Sequence, residues 1–153
     1  MRKPVHRNSP SDRAHRVVIV EPHDDSREMY ATYLDWVGIQ VTAVPVAADA
    51  LRILSDEPAD AVILCLNLPM MDGFALGTSL RMMPGTRAVP LIALSTTQTE
   101  HERALRDGKF STVLMKPCLP EVLLRRLRMT LAAGPAGPVS MELSRPAASA
   151  SPD

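Results

Sequence analysis

Short apolar runs alternate with longer amphipathic stretches along this chain. The apolar runs are rich in valine, isoleucine and leucine and have the length of strands; they cover residues 16–21, 39–44, 61–65, 89–94 and 112–115. The stretches that follow them have helical character and cover residues 25–37, 47–56, 74–82, 100–107 and 120–131. Strands that alternate with helices indicate βαβ units. The pattern therefore predicts a doubly wound α/β fold, with a five-stranded parallel sheet in the order 2-1-3-4-5 and helices on both faces.

The first helix carries signals at both ends. Asp24 or Asp25 is the predicted N-cap residue and Gly38 the predicted C-terminal stop. Its predicted apolar face comprises Met29, Tyr33, Trp36 and Val37. The run at residues 61–65 is continuously apolar up to its last residue, which is typical of a central strand covered on both faces.

Composition predicts one domain between two tails. The 153 residues are 46% hydrophobic, which is enough for one proper core and too little for a second sizeable domain. We predict this domain at residues 16–133. Residues 1–15 are basic and lack apolar periodicity, so they are predicted to be a flexible arm. Residues 134–153 are dominated by Pro, Ala, Gly and Ser and are predicted to be a disordered tail.

Charge and hydropathy exclude several classes of partner. The formal net charge is zero and the arm is basic, so the predicted domain is mildly acidic and nucleic-acid binding is not expected. No run has the length of a transmembrane helix and no apolar segment follows the basic N-terminus, so we expect a cytoplasmic protein with no membrane partner. Cys65 and Cys118 lack CxxC spacing and the histidines are not clustered, which predicts neither a disulfide framework nor a zinc site.

Polar or reactive residues follow the apolar cores of four predicted strands. These residues are Glu21, Cys65, Ser95 and Lys116. The carboxyl ends of parallel strands meet at one edge of the sheet, and ligands bind there at the topological switch point between strands one and three. We therefore expect the four side chains to lie around one crevice. Because a buried ammonium needs a counterion, Lys116 is predicted to pair with Glu21.

Several segments at consistent spacing resemble the receiver domain of two-component response regulators over residues 16–131. They are VVIVE with Arg27 downstream, PADAVIL followed by LNLPMMDG, LRMMPGTRAVPLIALS, ALRDG, and LMKPCLPEVLLRRL. The resemblance implies a flavodoxin-like fold and a phosphorylation switch. In that family the switch consists of an acid pair with Mg²⁺, a phosphoacceptor aspartate, a Ser or Thr hydroxyl and a lysine.

The resemblance assigns a role to each position of the crevice. Glu21 and Pro22 fall at the acid pair, Cys65 at the phosphoacceptor, and Asn67 at the position whose backbone carbonyl ligates metal. Ser95 matches the switch hydroxyl and Lys116 the site lysine. Pro117 falls where the family has a cis proline, and Val113 falls where receivers usually carry an aromatic switch residue.

Two carboxylates of this implied site are missing. Proline has no carboxylate and a thiol is a soft ligand, whereas Mg²⁺ requires oxygen ligands, so Mg²⁺ binding is expected to be lost or weak and no cofactor is expected. Phosphoryl transfer depends on positioning and charge neutralisation, so aspartyl phosphorylation and enzymatic activity are not expected. Cys65 then has three interpretations: an inert buried residue, a redox or electrophile sensor, and a phosphocysteine.

The sequence therefore predicts a stand-alone, atypical pseudo-receiver that acts as a phosphorylation-independent adaptor in a phosphorelay. Its expected partner is another signalling protein: a histidine kinase, a response regulator or a downstream target. The family's usual contact surface, which consists of helix four, strand five and helix five, would bind this partner. The same surface could instead form a homodimer. Arg125, Arg126 and Arg128 would form part of this surface; alternatively, they are simply the solvated face of a helix. The alternative function is a redox-responsive switch centred on Cys65.

Overall fold

The computed structural model of the protein describes residues 14–134, which form a five-stranded parallel sheet with five helices. The strands are β1 (Arg16–Val20), β2 (Gln40–Val44), β3 (Ala61–Cys65), β4 (Leu91–Ser95) and β5 (Thr112–Met115). Their order is β2-β1-β3-β4-β5, and every neighbouring pair is parallel. The α/β class, the strand order and the parallel pairing predicted from the sequence are confirmed.

Helices follow every strand. They are α1 (Asp24–Trp36), α2 (Ala47–Asp56), α3 (Gly73–Met82), α4 (Gln98–Asp107) and α5 (Pro120–Ala133). Good capping fixes two of their ends: the Asp72 side chain accepts from the Ala75 backbone N–H at the start of α3, and Gly108 ends α4 at a φ of 84°. The left-handed conformation at that position favours a residue without a Cβ.

Two apolar clusters cover the two faces of the sheet. One combines α2, α3 and Ala104 of α4 with residues such as Val18, Leu64 and Ala93. The other combines α1 and α5 with the alternate strand residues, such as Ile19 and Ile63. Every residue of β3 and β4 is buried, because these strands lie inside the sheet and helices cover both faces. This arrangement holds the carboxyl ends of the inner strands rigidly in place.

The structure corrects the sequence prediction at α1. His23, rather than Asp24 or Asp25, is the N-cap residue, and it makes no side-chain capping bond. Asp24 begins the helix and pairs instead with Arg27, with 2.6 Å between Oδ1 and Nη2. The buried face is also rotated relative to the predicted one: Tyr30 and Leu34 are buried, whereas the predicted core residue Met29 is 43% exposed.

Parts of the predicted arm and tail, residues 1–13 and 135–153, lie outside the described residues. Just before β1, the carbonyl of His15 accepts from the backbone N–H of Gln40 at 2.9 Å. Among residues 14–134, no helix combines the length and the apolar composition needed to cross a membrane.

Candidate functional site

The four predicted crevice residues lie at the carboxyl edge of the sheet. Cys65 is the last residue of β3 and Ser95 the last of β4, whereas Glu21 and Lys116 come directly after β1 and β5. Glu21 is anchored by its backbone N–H, which donates to the carbonyl of Val44 at 3.0 Å. The ends of strands that are up to 95 residues apart in sequence therefore meet in one place.

Glu21 and Lys116 form a buried ion pair. The Lys116 ammonium Nζ donates to Glu21 Oε1 at 2.7 Å. The Lys116 side chain is 13% exposed and the Glu21 side chain 0% exposed. The second carboxylate oxygen, Oε2, accepts from the backbone N–H of His23 at 3.1 Å. Both oxygens of Glu21 are thus engaged by donors of the protein itself. This is the pairing that the charge-burial argument predicts.

Arg27 supports the same corner from outside. Its Nη1 donates to the carbonyl of Glu21 at 3.0 Å, and its Nη2 pairs with Asp24. A guanidinium presents several donors in a fixed plane, so one side chain can bind both a carbonyl and a carboxylate. Arg27 thereby fixes the turn between β1 and α1 that positions the Glu21 carboxylate.

Cys65 is a buried free thiol that is 1% exposed. Burial is the largest cause that raises its pKa; the charge of Glu21 raises it further, whereas Lys116 opposes the shift. The Sγ atom lies 3.8 Å from the backbone carbonyl of Asn67, which is the weak acceptor of its hydrogen. A nucleophilic cysteine needs an exposed thiolate. The site instead favours a neutral, shielded thiol.

The loop after Cys65 folds tightly back on the strand. The backbone N–H of Gly73 donates to the carbonyl of Leu66 at 2.8 Å. A Cβ at position 73 would lie 2.6 Å from both the Cys65 carbonyl oxygen and the Leu66 Cα. Only glycine fits between these backbone atoms. The tip of the loop is exposed: Met70 has a φ of 67° and is 91% exposed.

Ser95 is fully buried, and its hydroxyl has two close partners besides the Met115 sulfur at 3.7 Å. Its Oγ lies 2.8 Å from Nδ1 of His101 and 3.2 Å from the carbonyl of Leu114. His101 was not among the site residues predicted from the sequence, although it lies within the helix predicted at residues 100–107. The position of His101 in the first turn of α4, directly after the β4 end, was the available signal.

Tyr30 was also missed, although it secures the strand-five side of the crevice. Its hydroxyl donates to the carbonyl of Cys118 at 2.7 Å, just beyond the cis Lys116–Pro117 peptide bond. Burial is the main cause that raises the pKa of Tyr30 to about 12. Because α1 is joined in this way to the segment that follows Lys116, the ammonium and its partner Glu21 belong to one braced unit.

The oxygen donors of the crevice are poorly suited to a divalent cation. Glu21 has both oxygens engaged, Pro22 offers no side-chain donor, and the nearest strand-end side chain, Cys65, offers sulfur. Within the described part of the chain, no group of three or more His, Cys, Asp or Glu side chains could hold a metal ion. Mg²⁺ prefers several oxygen ligands in octahedral geometry, so this donor set does not fit it.

Comparison with known families identifies the family of this chain. The family model of the response regulator receiver domain matches residues 17–128. The chain belongs to this family.

Curated relatives of this receiver differ in how much else they contain. An uncharacterized 14.6 kDa protein of Leptolyngbya boryana is 33% identical over 121 residues, which cover 78% of this chain and 92% of that protein. The transcriptional regulatory protein GltR of Pseudomonas aeruginosa is 32% identical over 75% of this chain, which spans 48% of that protein. The sensor histidine kinase RcsC of Salmonella typhimurium is 30% identical over 72% of this chain, which spans only 12% of the kinase.

Solved receiver structures share the whole architecture. The chemotaxis response regulator CheY4 of Vibrio cholerae has a TM-score of 0.71 at 26% identity, covering 76% of this chain and 98% of that one. The receiver domain of a Pseudomonas aeruginosa sensor histidine kinase, whose structure has a magnesium ion in the active site cleft, has a TM-score of 0.72 at 26% identity, covering 78% of this chain and 98% of that one.

Proposed function

We propose that this receiver is an atypical one that binds another signalling protein without being phosphorylated. The observation that carries the proposal is the state of the β3 end: Cys65 stands at the position that the resemblance assigns to the phosphoacceptor. Its thiol is buried and its pKa is raised. Phosphoryl transfer to this position needs an exposed nucleophile and a means of neutralising charge, and the nucleophile is shielded.

The state of the acid pair supports the same proposal. Pro22 replaces one of its two members, and the other, Glu21, is held by Lys116 and by the backbone of His23. Capturing a Mg²⁺ ion would require Glu21 to give up a buried ion pair, which is costly because it strands the ammonium. We therefore propose that the receiver works without Mg²⁺ and without enzymatic activity.

A protein is the partner that these surfaces suit best. The candidate contact surface consists of α4, β5 and α5 and carries the exposed residues Leu105, Arg106, Arg125, Arg128 and Met129. Mixed apolar and arginine side chains are typical of protein interfaces. We propose a histidine kinase, a response regulator or a downstream target as the partner, in the cytoplasm, with homodimerisation through the same surface as the alternative. Neither nucleic acid nor a membrane is the proposed partner.

Relatives give this proposal its context. The receiver relatives named above include a transcriptional regulatory protein and a sensor histidine kinase, so receivers of this kind operate in two-component signalling. The chain spans less than half of each of those two proteins, and their complete activities are not carried over to it. An adaptor role in a phosphorelay is the proposal that uses the receiver fold without requiring the missing carboxylates.

Phosphorylation can be tested by intact-mass measurement after incubation with a small phosphodonor and Mg²⁺. We expect no phosphoryl adduct on the protein, whereas a receiver with an acceptor aspartate, treated in parallel, should gain one. An adduct that disappears in Cys65→Ala but persists in the matched variant Cys118→Ala would establish phosphocysteine. An adduct that persists in both variants would reveal another acceptor, and either result would refute the proposal.

Partner binding is the second arm of the test. A partner captured with the receiver should bind with the same affinity in the presence and absence of beryllofluoride with Mg²⁺, a mimic of the acyl phosphate that needs an acceptor carboxylate. A change of about tenfold or more, which corresponds to about 1.4 kcal/mol of coupling, would demonstrate a surviving switch. A change seen only after thiol oxidation would favour the redox function, although the burial of Cys65 opposes that function.

A further inference from the structure

The junction between β4 and α4 is bound by the first turn of its own helix. Glu100 Oε1 accepts from the backbone N–H of Thr96 at 2.8 Å and from the Thr96 hydroxyl at 3.2 Å. His101 Nδ1 lies 2.8 Å from the hydroxyl of Ser95. The Thr97 hydroxyl in turn accepts from the backbone N–H of Glu100 at 3.1 Å. Each of the three polar residues that lead from the strand into the helix is thus tied to this turn.

Helix α4 buries fewer residues than any of the other four helices. Ala104 is the buried residue of α4, whereas α3 buries Gly73, Phe74, Leu76, Gly77 and Leu80. A further contact of α4 is the Arg103 guanidinium, 3.7 Å above the centroid of the Phe74 ring. Elements with few buried apolar contacts open locally at low free-energy cost. Polar contacts at its first turn therefore have a large share in holding α4 in place.

We propose that Glu100 and His101 form a latch that holds α4 closed over the Cys65 side of the crevice, with the Glu100 carboxylate as a fixed anion built into the fold. The latch comprises these two residues and the Ser95 and Thr96 groups that they bind. Releasing it lets α4 swing away and exposes the β3 end. The conformation of the β4–α4 junction is thereby set by a carboxylate of the chain itself and needs no covalently added group.

The position of the Glu100 carboxylate supports its role in this latch. Leu94 of β4 pairs with Cys65 of β3, and the next two residues, Ser95 and Thr96, are the ones that the first turn of α4 binds, so the bonds of Glu100 lie at the strand end beside Cys65. A hydrogen bond from a backbone N–H to a carboxylate is stronger than one to a neutral acceptor. Glu100 therefore supplies both a bond that restrains the junction and a negative charge beside the crevice.

The contact between Ser95 and His101 does not depend on the charge of the imidazole. When Nδ1 carries a hydrogen, in the neutral or the protonated ring, it donates to Ser95, which then donates to the carbonyl of Leu114 at 3.2 Å. When Nδ1 is bare, Ser95 donates to it instead. Since a hydrogen-bonded arrangement exists in every state, the latch holds whether His101 is charged or neutral.

One consequence concerns the proposed partner surface and rests on the proposed function. Helix α4 contributes Leu105 and Arg106 to that surface, so a latched α4 presents these side chains in a single arrangement. A state without the latch would expose them on a mobile helix. Partner affinity would then fall because the helix must be ordered on binding.

Labelling of Cys65 provides a test that does not involve a partner. In a Cys118→Ser background, the rate of modification by an aromatic disulfide reagent reports opening of the crevice. Glu100→Ala should raise this rate by about threefold to tenfold, less than the loss of a shielded hydrogen bond to a charged acceptor would give, because both bonds to Thr96 are exposed to solvent. Glu100→Gln should raise it less, since its amide oxygen still accepts from Thr96. The matched control is Glu102→Ala, an exposed neighbour that binds Gln98 and should leave the rate unchanged.

Hydrogen exchange of the His101 amide, which donates to the Thr97 carbonyl at 2.9 Å and keeps this acceptor in the variants, provides the second readout. It should accelerate in Glu100→Ala by the same factor as the labelling, with no change in Glu102→Ala. Equal labelling rates in the two variants would refute the latch. So would a rise in rate that is fully accounted for by a loss of global stability in urea, because the thiol would then be exposed by unfolding rather than by movement of α4. Neither result would bear on whether the receiver is phosphorylated.

Discussion

The buried pair of Glu21 and Lys116 makes a quantitative prediction about stability. In Glu21→Gln the carboxylate is replaced by an amide of nearly the same shape, and the Lys116 ammonium, 13% exposed, loses its counterion. The amide oxygen can still accept one hydrogen bond, from Lys116 or from the backbone of His23. Charge is therefore the main property that the substitution removes.

Breaking a buried pair by removing one partner costs about 3–5 kcal/mol, because it leaves a buried charge uncompensated. We expect the lower end, about 3 kcal/mol, since the Lys116 side chain retains some contact with water and glutamine keeps the shape. With a urea m-value of about 2 kcal/mol per molar, the unfolding midpoint should fall by about 1.5 M. Replacing the lysine as well, in Glu21→Gln/Lys116→Met, should recover much of the loss because no buried charge remains.

Urea unfolding monitored by circular dichroism measures all three variants. Glu57→Gln is the control, because Glu57 pairs with Arg16 at the same kind of distance, 2.8 Å, but at the surface. An exposed pair contributes about 0–1 kcal/mol, so this variant should remain close to the parent protein. The reasoning fails if Glu21→Gln costs no more than Glu57→Gln. It also fails if the double variant is less stable than Glu21→Gln alone.

Two further predictions concern the braces of the crevice. Tyr30→Phe removes the hydrogen bond to the Cys118 carbonyl and should cost about 1 kcal/mol in urea unfolding at pH 7. Folding raises the pKa of Tyr30 to about 12 and also raises the pKa of Cys65, whereas the unfolded chain releases these protons near pH 10.0 and 9.0. The folded state therefore keeps protons that the unfolded state has lost, and stability should fall as pH rises above about 9. Tyr30→Phe should remove the part of this loss of stability that occurs between pH 10 and 12. Gly73→Ala should cost about 2–3 kcal/mol because its methyl group meets backbone atoms, whereas Gly85→Ala, with open space around it, should be neutral; equal thermal midpoints for the two would contradict this.

Strand and helix patterns predicted most of the fold because each apolar run ended at a clear turn signal. The predicted bounds of β3, α2 and β5 agree with the structure. β1 and β2 differ by one residue at one end, and β4 begins two residues and ends one residue later than predicted. The α4 start was placed two residues late, at Glu100 instead of Gln98. Thr97 and Glu100 have the spacing of a capping box, which was the available signal for the earlier start.

The orientation of α1 could not be derived from helical spacing alone. Met29, Tyr33 and Trp36 lie on one stripe, and Tyr30 and Leu34 lie on the adjacent one. Both stripes are apolar, so periodicity does not decide which one faces the sheet. Packing against α5 and the strands decides it. The bond from Tyr30 to Cys118 joins residues 88 positions apart and depends on that packing, so the sequence offered no local signal for it.

The chain positions of the crevice residues were predictable because topology alone brings strand ends together. Their partners were predictable only in part. The pairing of Glu21 with Lys116 followed from the cost of an isolated buried charge, but the involvement of Glu100 and His101 depends on the rotation and the start of α4. An ion pair between buried charges can therefore be predicted from the sequence more readily than the side-chain hydrogen bonds of a helix with few buried residues.

Carboxylates introduced at positions 65 and 22 test the proposal that the receiver works without Mg²⁺. In Cys65→Asp a second carboxylate enters a site that is 1% exposed, near the fully buried Glu21, whose counterion is the single ammonium of Lys116. Two like charges in a buried site oppose each other, and one of them tends to take up a proton. Cys65→Asp alone should therefore be less stable than the parent and should still fail to bind Mg²⁺, because Pro22 contributes no oxygen.

Adding Pro22→Asp supplies a further carboxylate on the partly exposed side of the same corner. The double variant then has the hard oxygen ligands that Mg²⁺ prefers, and the ion would offset the repulsion among the carboxylates. At a Mg²⁺ concentration about ten times the dissociation constant, binding should stabilise it by about 1.4 kcal/mol, with no effect on the parent or on Cys65→Asp. The assay is the thermal midpoint with Mg²⁺ and with an equal ionic strength of sodium chloride. Stabilisation of Cys65→Asp alone would place the defect entirely at the β3 end and would remove Pro22 from the explanation.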